Sequence, residues 1–391
     1  MTAPSMHLER HQSLEAIDAG EWNALVGDFP FLRHEFLIAL ERHGAVGREF
    51  GWIPYYLILR DAADGPIAAA APTFLKTNSY GEFVFDFAWA HAYERNGLPY
   101  YPKMVAAAPY TPATGPRLLV APRRDFQSTA HALIDALCRH GEELQLSSVH
   151  WLFPNERDQV ALQQQGLLLR TDIQYHWANA DYRDFDDFLD RFSSRKRKKA
   201  RRERRRVAEQ GIELVRRGGD EMDAAEWARA HHFYESTFER KWNVPVLTRA
   251  FFEEIGRTMG ERIVVVFARH GGRDVAGAIL FRGGDTLYGR YWGCDADYHS
   301  LHFEACYYQG IDYAIAHGLQ RFEPGAQGEH KIARGFLPVY TQSAHWIRHP
   351  GFREAIEDYL QRERALIVER YHELQAESPF RASAEPPESD I

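Results

Sequence analysis

The sequence predicts a mixed α/β fold in which helices cover mixed sheets, built from two similar units. At 391 residues the chain is long for one hydrophobic core, so two domains are the default expectation. Both halves contain apolar strands, then a helix and a further apolar strand. Residues 134–141 and 311–318 share the pattern Ile-Asp, four residues, His-Gly, and each leads to a strand ending at Pro154 or Pro324. Length and repetition together favour two copies of one α/β unit.

The composition is that of an ordinary globular protein, with 45% apolar and 26% charged residues and a formal net charge of -8. Three widely separated cysteines, Cys138, Cys294 and Cys306, show no CxxC spacing. This argues against a disulfide framework or a structural zinc site and is typical of a reducing cytosol. The N-terminus has no apolar signal core, and the most apolar run, residues 67–75, is too short to span a bilayer. We therefore expect a cytoplasmic, metal-independent protein, with peripheral contact at the inner membrane face left open.

Alternation and turn residues predict the elements of the first half. Ser13 is a candidate N-cap for the first helix, and the residues around Asp64 and Gly65 form the turn of a strand pair. Helices are expected over residues 14–25, 31–42, 126–144 and 156–165, and strands over residues 52–60, 66–75, 149–153 and 167–177.

Residues 83–112 are crowded with aromatic side chains and prolines. The alternating phenylalanines within residues 83–87 predict a strand with one aromatic face, followed by loop. Two interpretations are open: aromatic packing between domains, and a groove for a long apolar or stackable substrate. Asp86 and Trp89 lie in this apolar run, where a lone carboxylate must be paired. Asp86 is expected either to anchor an acceptor amine or to cap a turn.

The segment Arg195–Arg206 reads RKRKKARRERRR. Its residues favour helix and leave almost no apolar face, which predicts an exposed helix between the domains. Clustered Lys and Arg suit several anionic partners: tRNA, the headgroups of a peripheral membrane contact, an acidic acyl carrier protein or a cofactor phosphate. A solvated linker helix is the alternative without a partner.

Glycine pairs divide the second half into hairpin strands. Strands are expected over residues 262–269, 275–282 and 286–293, and helices over residues 224–242, 301–317 and 352–375. The resulting domain plan is an N-terminal domain of residues 1–180, a basic linker helix at 181–210, a C-terminal domain at 211–377 and a disordered tail at 378–391.

The stretch Arg321–Pro338, RFEPGAQGEHKIARGFLP, follows an apolar helix and a short strand. Its glycines let backbone approach a ligand closely, and its charged side chains include a histidine that can titrate near neutral pH. Such a mixture does not suit a core, and loops at strand ends commonly carry function. The stretch is therefore the predicted functional site.

The order of elements, with a basic helix between the copies, resembles the tandem form of the GNAT acyl-CoA N-acyltransferase fold. The sequence GAQGEHKIARGF followed by SAHW, together with YYPKMVAAAPYTPATG, resembles the FemAB-like "peptidoglycan biosynthesis/recognition" family of N-acyltransferases. The resemblance extends from about Trp22 to Tyr371. It implies transfer of an acyl group from a thioester, acyl-CoA or acyl carrier protein, to an amine.

The resemblance leaves the substrates open. Fem proteins take aminoacyl groups from tRNA to peptidoglycan precursors, whereas similar bacterial N-acyltransferases attach fatty acyl groups to long-chain amines, as in bacterial ceramide synthesis. A non-enzymatic module that recognises a cell-envelope ligand is a third possibility. Single-domain acetyltransferases hold the CoA pyrophosphate on a glycine-containing loop, but residues 294–300 read CDADYHS. This departure favours a carrier-protein thioester, an aminoacyl-tRNA or CoA held differently.

Direct N-acyl transfer needs a base for the attacking amine. The candidates are His330, which has the best ordinary pKa, and the carboxylates Glu323 and Glu304, which burial would have to tune. A covalent mechanism through Cys306 or Cys294 is the runner-up, with buried, inert cysteines as its alternative.

Further side chains are candidates for substrate binding. Lys331 and Arg334 are expected to hold a phosphate or carboxylate, or else to pair with surface acids. His345 either closes the pocket or packs in the core. The remaining candidates come from the first half: Asp86, Trp89, Lys103 and Tyr110.

Overall fold

The computed structural model describes residues 6–240, 244–326 and 328–381. They form two compact units. The first holds the residues up to Asp172 together with Tyr340–Glu369, and the second holds Ile173–Val339 together with the residues from Arg370 onward. These limits differ from the sequence-based plan, which left residues 340–369 in the C-terminal domain and made residues 181–210 a separate linker.

The strands follow one another as β1 His7–His11, β2 Trp52–Pro54, β3 Tyr56–Arg60, β4 Ile67–Ala71, β5 Thr73–Lys76, β6 Lys103–Ala106, β7 Leu119–Val120, β8 Ser148–Leu152, β9 Leu168–Ala178, β10 Ile212–Gly218, β11 Ile263–His270, β12 Arg273–Gly283, β13 Thr286–Cys294, β14 Arg321–Glu323 and β15 Leu337–Ile347.

The helices are α1 Ala19–Val26, α2 His34–Arg42, α3 Phe87–Arg95, α4 Phe126–Glu143, α5 Glu156–Gln164, α6 Phe185–Asp190, α7 Ser194–Glu209, α8 Ala224–Arg240, α9 Arg249–Met259, α10 Leu301–Phe303, α11 Gln309–Ala316 and α12 Pro350–Gln375. A π-helix, Glu304–Tyr308, joins α10 to α11. Short 3₁₀ helices are Pro30–Leu32, Gly219–Glu221, Gly260–Arg262 and Glu329–Arg334. No helix in the described residues is both long and apolar enough to cross a bilayer.

The first unit contains an antiparallel sheet in the order β1-β3-β4-β7 and a mixed sheet in the order β15-β8-β6-β5-β2. Residues Ser343–Ile347 of β15 pair antiparallel with β8. This pairing explains why a late segment of the chain belongs to the first unit. Helix α4 begins after Asp125, whose carboxylate caps it, and buries Leu133 and Leu137 in the core with Trp151.

The second unit has strands in the order β10-β11-β12-β13-β14-β9. The first four pair antiparallel as hairpins, and β13 runs parallel to β14. Gly271 and Gly272, in the turn between β11 and β12, have φ of 56° and 77°, a conformation that glycine adopts without steric cost. The predicted hairpins and the following helix are confirmed. The core packs α11 and the π-helix against β12 and β14, with Leu280, Ile311 and Phe322 buried.

The predicted aromatic strand at residues 83–87 was wrong. Phe83 has a φ of 59°, and α3 begins at Phe87 with Asp86 at its N-cap position. Phe83, Phe85 and Phe87 are 36%, 51% and 37% exposed. Their alternation therefore does not mark a face buried by a sheet, and the last of the three phenylalanines is the first residue of α3.

The basic segment is a helix, as predicted, but it lies within the second unit. Helix α7 buries a narrow face consisting of Ala200, Glu203 and Val207. These residues recur at spacings of three and four, which places them on one side of the helix. The helix is thus packed into its unit along one stripe and presents cations elsewhere.

Candidate active site

Strands β13 and β14 pair only over Thr286–Tyr288 and Arg321–Glu323. Beyond Tyr288, β13 continues along β12, whereas β14 ends before Pro324, which has no backbone N–H to extend a ladder. A cavity of about 340 Å³ lies where the two segments part. Its walls are Ala278–Leu280, Gly289–Trp292, His302, Cys306, Tyr307, Pro324–Ala326, His330 and Lys331.

A bulge shapes one wall of this cavity. Ile279 pairs with Tyr291 and Leu280 pairs with Gly289, so Arg290 is the extra residue of β13. Bulges re-aim side chains and are common beside functional sites. Burial lowers the pKa of the Arg290 guanidinium, with the Tyr291 hydroxyl opposing the shift.

Lys331 supplies a buried amine to the cavity. The residue is 2% exposed and lies in the 3₁₀ helix Glu329–Arg334. Its Nζ donates a hydrogen bond to the carbonyl oxygen of Gly325 at 2.6 Å. Burial lowers the pKa of Lys331 to about 7, because the charged form is poorly solvated there. Near neutral pH this side chain can therefore both accept and donate a proton.

His330 and Tyr307 form a hydrogen-bonded pair at the same cavity. The Tyr307 hydroxyl lies 2.9 Å from Nε2 of His330. His330 is exposed as a whole, but partial burial of its ring lowers its pKa, and the neighbouring charges of Arg334 and Lys331 lower it further, which favours the neutral imidazole. Gly328 has a φ of 117°, and a Cβ there would lie 2.5 Å from Cε1 of His330. Glycine is thus required where the loop passes the ring.

Cys306 and Tyr307 reach the cavity from the π-helix, an irregularity that often marks functional sites. Burial raises the pKa of the Cys306 thiol far above its ordinary range. A neutral thiol is a poor nucleophile, which weighs against the covalent alternative. Cys294 is buried in β13, opposite Ala276.

The two carboxylates expected as bases lie in different surroundings. Glu304 is 3% exposed, and its oxygens accept hydrogen bonds from Arg204 at 3.1 and 3.2 Å and from Gln309 at 2.8 Å. It therefore ties α7 to the helix that follows β13. Glu323 is buried at the end of β14, with its Oε2 4.0 Å from Nε2 of His176. Burial lowers the pKa of His176 to about 3, so this imidazole is neutral.

Arg334 is held inside the second unit. Its guanidinium donates to Oε1 of Glu203 at 2.8 Å and to the carbonyl oxygen of His330 at 2.6 Å. The same group lies 3.2 Å from the ring centroid of Phe303, in a cation–π contact. Arg334 thus fixes the backbone of the His330 loop against α7.

Asp86 and Lys103 meet in the interior of the first unit. The Lys103 ammonium donates to Asp86, to Glu82 at 2.8 Å and to Ser79 at 2.9 Å. Burial favours the neutral form of Asp86, but the Lys103 charge outweighs it and lowers the pKa of Asp86 to about 2. Tyr100 donates to the same carboxylate at 2.5 Å. Asp86 is therefore paired within its own unit.

His345 and Trp89 are also interior residues. Nδ1 of His345 lies 2.5 Å from Nδ1 of His150, and Trp89 packs edge-on against His345 with centroids 4.9 Å apart. Burial lowers the pKa of His150 to about 3 and that of His345 strongly, so both rings are neutral. Tyr110 donates its hydroxyl to the carbonyl oxygen of Ala45 at 2.7 Å. Trp89 and His345 are therefore core residues, whereas Tyr110 is partly buried.

Sequence reasoning missed Tyr307, Arg290 and Glu82. Tyr307 belongs to no recognisable motif. Its position next to His330 depends on the π-helix, which the sequence did not predict. The bulge at Arg290 depends on strand register, which the sequence leaves open. Glu82 lies four residues before Asp86, and two carboxylates near a lysine in an apolar segment were the available signal.

Comparisons with known proteins agree with this architecture. A family model described as FemAB-like, peptidoglycan biosynthesis/recognition, matches residues 13–382. FemX is 12% identical, with 89% of this chain and 100% of FemX covered and a TM-score of 0.53. The C-terminal domain (DUF2156) of an Agrobacterium fabrum protein assigned as a lysylphosphatidylglycerol synthetase is 11% identical, with coverage of 88% and 96% and a TM-score of 0.53.

A tandem GNAT protein from the clavulanic acid biosynthesis pathway is 12% identical, with coverage of 88% and 99% and a TM-score of 0.45. No curated protein matches the sequence. The predicted α/β fold with mixed sheets is confirmed.

Proposed function

Because the chain belongs to the FemAB-like family, we propose that it is an N-acyltransferase that moves an acyl group from a thioester to an amine. The family and the fold support a transferase that acts on cell-envelope or peptidoglycan-related substrates. The observation that carries the finer proposal is the buried Lys331, whose pKa of about 7 suits proton transfer in a cavity of the second unit.

In the proposed reaction the acceptor nitrogen attacks the thioester carbonyl, and the C–S bond breaks as the C–N bond forms. The nitrogen loses one proton, and the departing sulfur gains one. Neutral Lys331 accepts the proton from nitrogen, and its ammonium form then returns a proton to the thiolate. A single amine can serve both steps because its pKa lies near the working pH.

Burial raises the pKa of the Tyr307 hydroxyl, which is thus a neutral donor on a residue that lines the same cavity as Lys331. It is positioned by Nε2 of His330 at 2.9 Å. We assign Tyr307 to the developing oxyanion and His330 to holding it in place. The acceptor class includes long-chain amines and amine-bearing envelope precursors.

Purified protein should convert an acyl-CoA or acyl carrier protein and a panel of amines into amides, detected by mass spectrometry. Lys331→Met should abolish this conversion, while Lys196→Met, which removes a lysine from α7, should leave it unchanged. Equal amide formation by the Lys331→Met protein would refute the assignment.

A second candidate is transfer from aminoacyl-tRNA, which the cations along α7 favour because they can neutralise phosphates. In that case activity would need tRNA, and binding would weaken steeply with salt. Activity that survives RNase treatment would exclude this candidate.

A further inference from the structure

Helix α7 carries its positive charge in two different settings. On one side its arginines are neutralised within the second unit. Arg197 lies 3.3 Å from Asp190, Arg201 lies 3.0 Å from Asp186, and Arg204 contacts Glu304 and Asp312 at 3.1 and 2.7 Å. These pairs connect α7 to α6, to the π-helix and to α11.

Another stripe of the same helix is not neutralised. Lys199, Arg202 and Arg206 are separated by three and four residues, which aligns them along the helix. Within the described part of the chain, none of the three contacts a carboxylate, and Arg206 instead lies 3.1 Å from Nε2 of His299. Three like charges in a row repel one another unless an anion lies among them.

These three side chains line a cavity of about 460 Å³. The other lining residues are Glu203, His299, Ser300, Phe303, His330 and Arg334. Glu203 does not neutralise the stripe, because its two oxygens are bonded to Arg334 at 2.8 Å and to Tyr308 at 2.6 Å. The cavity therefore keeps an excess of positive charge.

His330 lines both this basic cavity and the cavity that contains Lys331. A ligand with its anionic group among the cations would thus have the rest of its length next to the reactive amine. The segment 294–300, CDADYHS, has no glycine to bring successive backbone N–H groups onto a phosphate. Cationic side chains are the alternative means of holding one.

We propose that Lys199, Arg202 and Arg206 bind the phosphate of the donor's phosphopantetheine arm. This rests on the proposed transfer from a thioester, since CoA and acyl carrier proteins share that arm. The side chains of α7 hold the phosphate, as backbone N–H groups would in a glycine-containing loop. The phosphate is held in the basic cavity, and the thioester passes His330 toward Lys331.

Calorimetric titration of the full-length protein tests the assignment without depending on turnover. The ligands are CoA, 4′-phosphopantetheine and phosphate-free pantetheine. The cavity variant is Lys199→Gln/Arg202→Gln/Arg206→Gln. Its matched control is Arg195→Gln/Lys196→Gln/Lys198→Gln, which removes the same charge from the same helix but no residue of the basic cavity. Circular dichroism verifies that both variants are folded.

The cavity variant should bind CoA and 4′-phosphopantetheine at least about tenfold more weakly, since each lost charged hydrogen bond to phosphate has an effect of this size. The control should change both affinities by less than about twofold. Pantetheine should bind weakly and equally to all three proteins.

Equal weakening in the control would overturn the proposal, because it would mean a diffuse attraction. So would pantetheine binding as tight as that of 4′-phosphopantetheine, or a protein that binds aminoacyl-tRNA but neither phosphorylated ligand. Specific CoA binding with no amide formed from any amine would uphold the phosphate site and reject the transferase. Comparing acyl-CoA with acyl carrier protein as donor then identifies which source of the arm is used.

Discussion

Nζ of Lys331 lies 2.6 Å from the carbonyl oxygen of Gly325. Among the described residues, this oxygen is the acceptor for the amine's hydrogen bond. No carboxylate in that part of the chain forms an ion pair with Lys331. A buried ammonium with a single backbone acceptor is poorly compensated, so its pKa falls to about 7. Two predictions follow from that relationship.

Lys331→Arg should reduce kcat/KM by about 100-fold or more, the usual contribution of a positioned acid–base group. The wild-type rate should rise with pH through about 7, because the neutral amine is the active base. Arginine stays charged, so this inflection should be missing from the variant's profile. An unchanged inflection in the variant would assign it to another group.

Lys331 should also make stability depend on pH. Its pKa is about 7 in the folded protein and about 10.4 in an unfolded chain. Between these values the unfolded state binds more protons, so the free energy of unfolding rises with pH, and below pH 7 the folded protein carries the full cost of burying the ammonium. Lys331→Met removes this cost. Urea titrations at pH 6 should therefore find the variant more stable by about 1 kcal/mol or more, with a smaller difference at pH 9.

His330→Ala should lower turnover sharply with little change in Tm, because the residue is exposed and its ring contacts Tyr307 at the cavity. Tyr307→Phe removes the hydroxyl while keeping the ring. It should lower kcat and leave KM nearly unchanged. Loss of folding in His330→Ala would instead give the imidazole a structural role. His317→Ala, an exposed histidine at the end of α11, is the control.

Lys103→Met should destabilise the protein by about 3 kcal/mol or more, because it leaves Asp86 and Glu82 buried without their shared cation. The triple variant Lys103→Met/Asp86→Asn/Glu82→Gln should recover a large part of this loss. Chemical denaturation measures both. Equal stability of the single variant and the wild type would show that the ion cluster contributes nothing.

Cys306→Ala should keep most of the activity, since burial holds the thiol in its neutral form. Iodoacetamide at pH 7 should likewise inactivate the wild type slowly or not at all. If the variant is folded but inactive, a slow acyl donor tested on the wild type separates the causes. Absence of a thioester adduct on the wild type would point to packing, and an adduct on Cys306 would restore the covalent mechanism.

Local signals in the sequence were enough for the hairpins and main helices. Glycine pairs mark the turns around β12, and the spacing of Leu133 and Leu137 matches one face of α4. The phenylalanines of residues 83–87 misled because alternation indicates a strand only if a sheet covers one face. The domain plan placed β15 in the second half because its pairing with β8, with His150 and His345 195 residues apart, leaves no local trace in the sequence.

In the candidate site too, local sequence identified some residues, whereas the roles of others depend on distant contacts. His330 and Lys331 could be named from the loop composition, and both line the cavity. That Lys331 rather than His330 is the deeply buried group depends on the fold around it. Glu304 carries a carboxylate that could act as a base, but this carboxylate accepts a hydrogen bond from Arg204, which lies 100 residues away in the chain.

The π-helix Glu304–Tyr308 has a consequence for how this protein can vary. A π turn amounts to one inserted residue, so deleting a single amino acid there would restore an ordinary helix. The helix would remain intact, yet every side chain after the deletion would rotate by roughly 100° about its axis. The anchor at Glu304 and the tyrosine beside His330 could then no longer both be in place, so we expect indels here to be far less tolerated than substitutions.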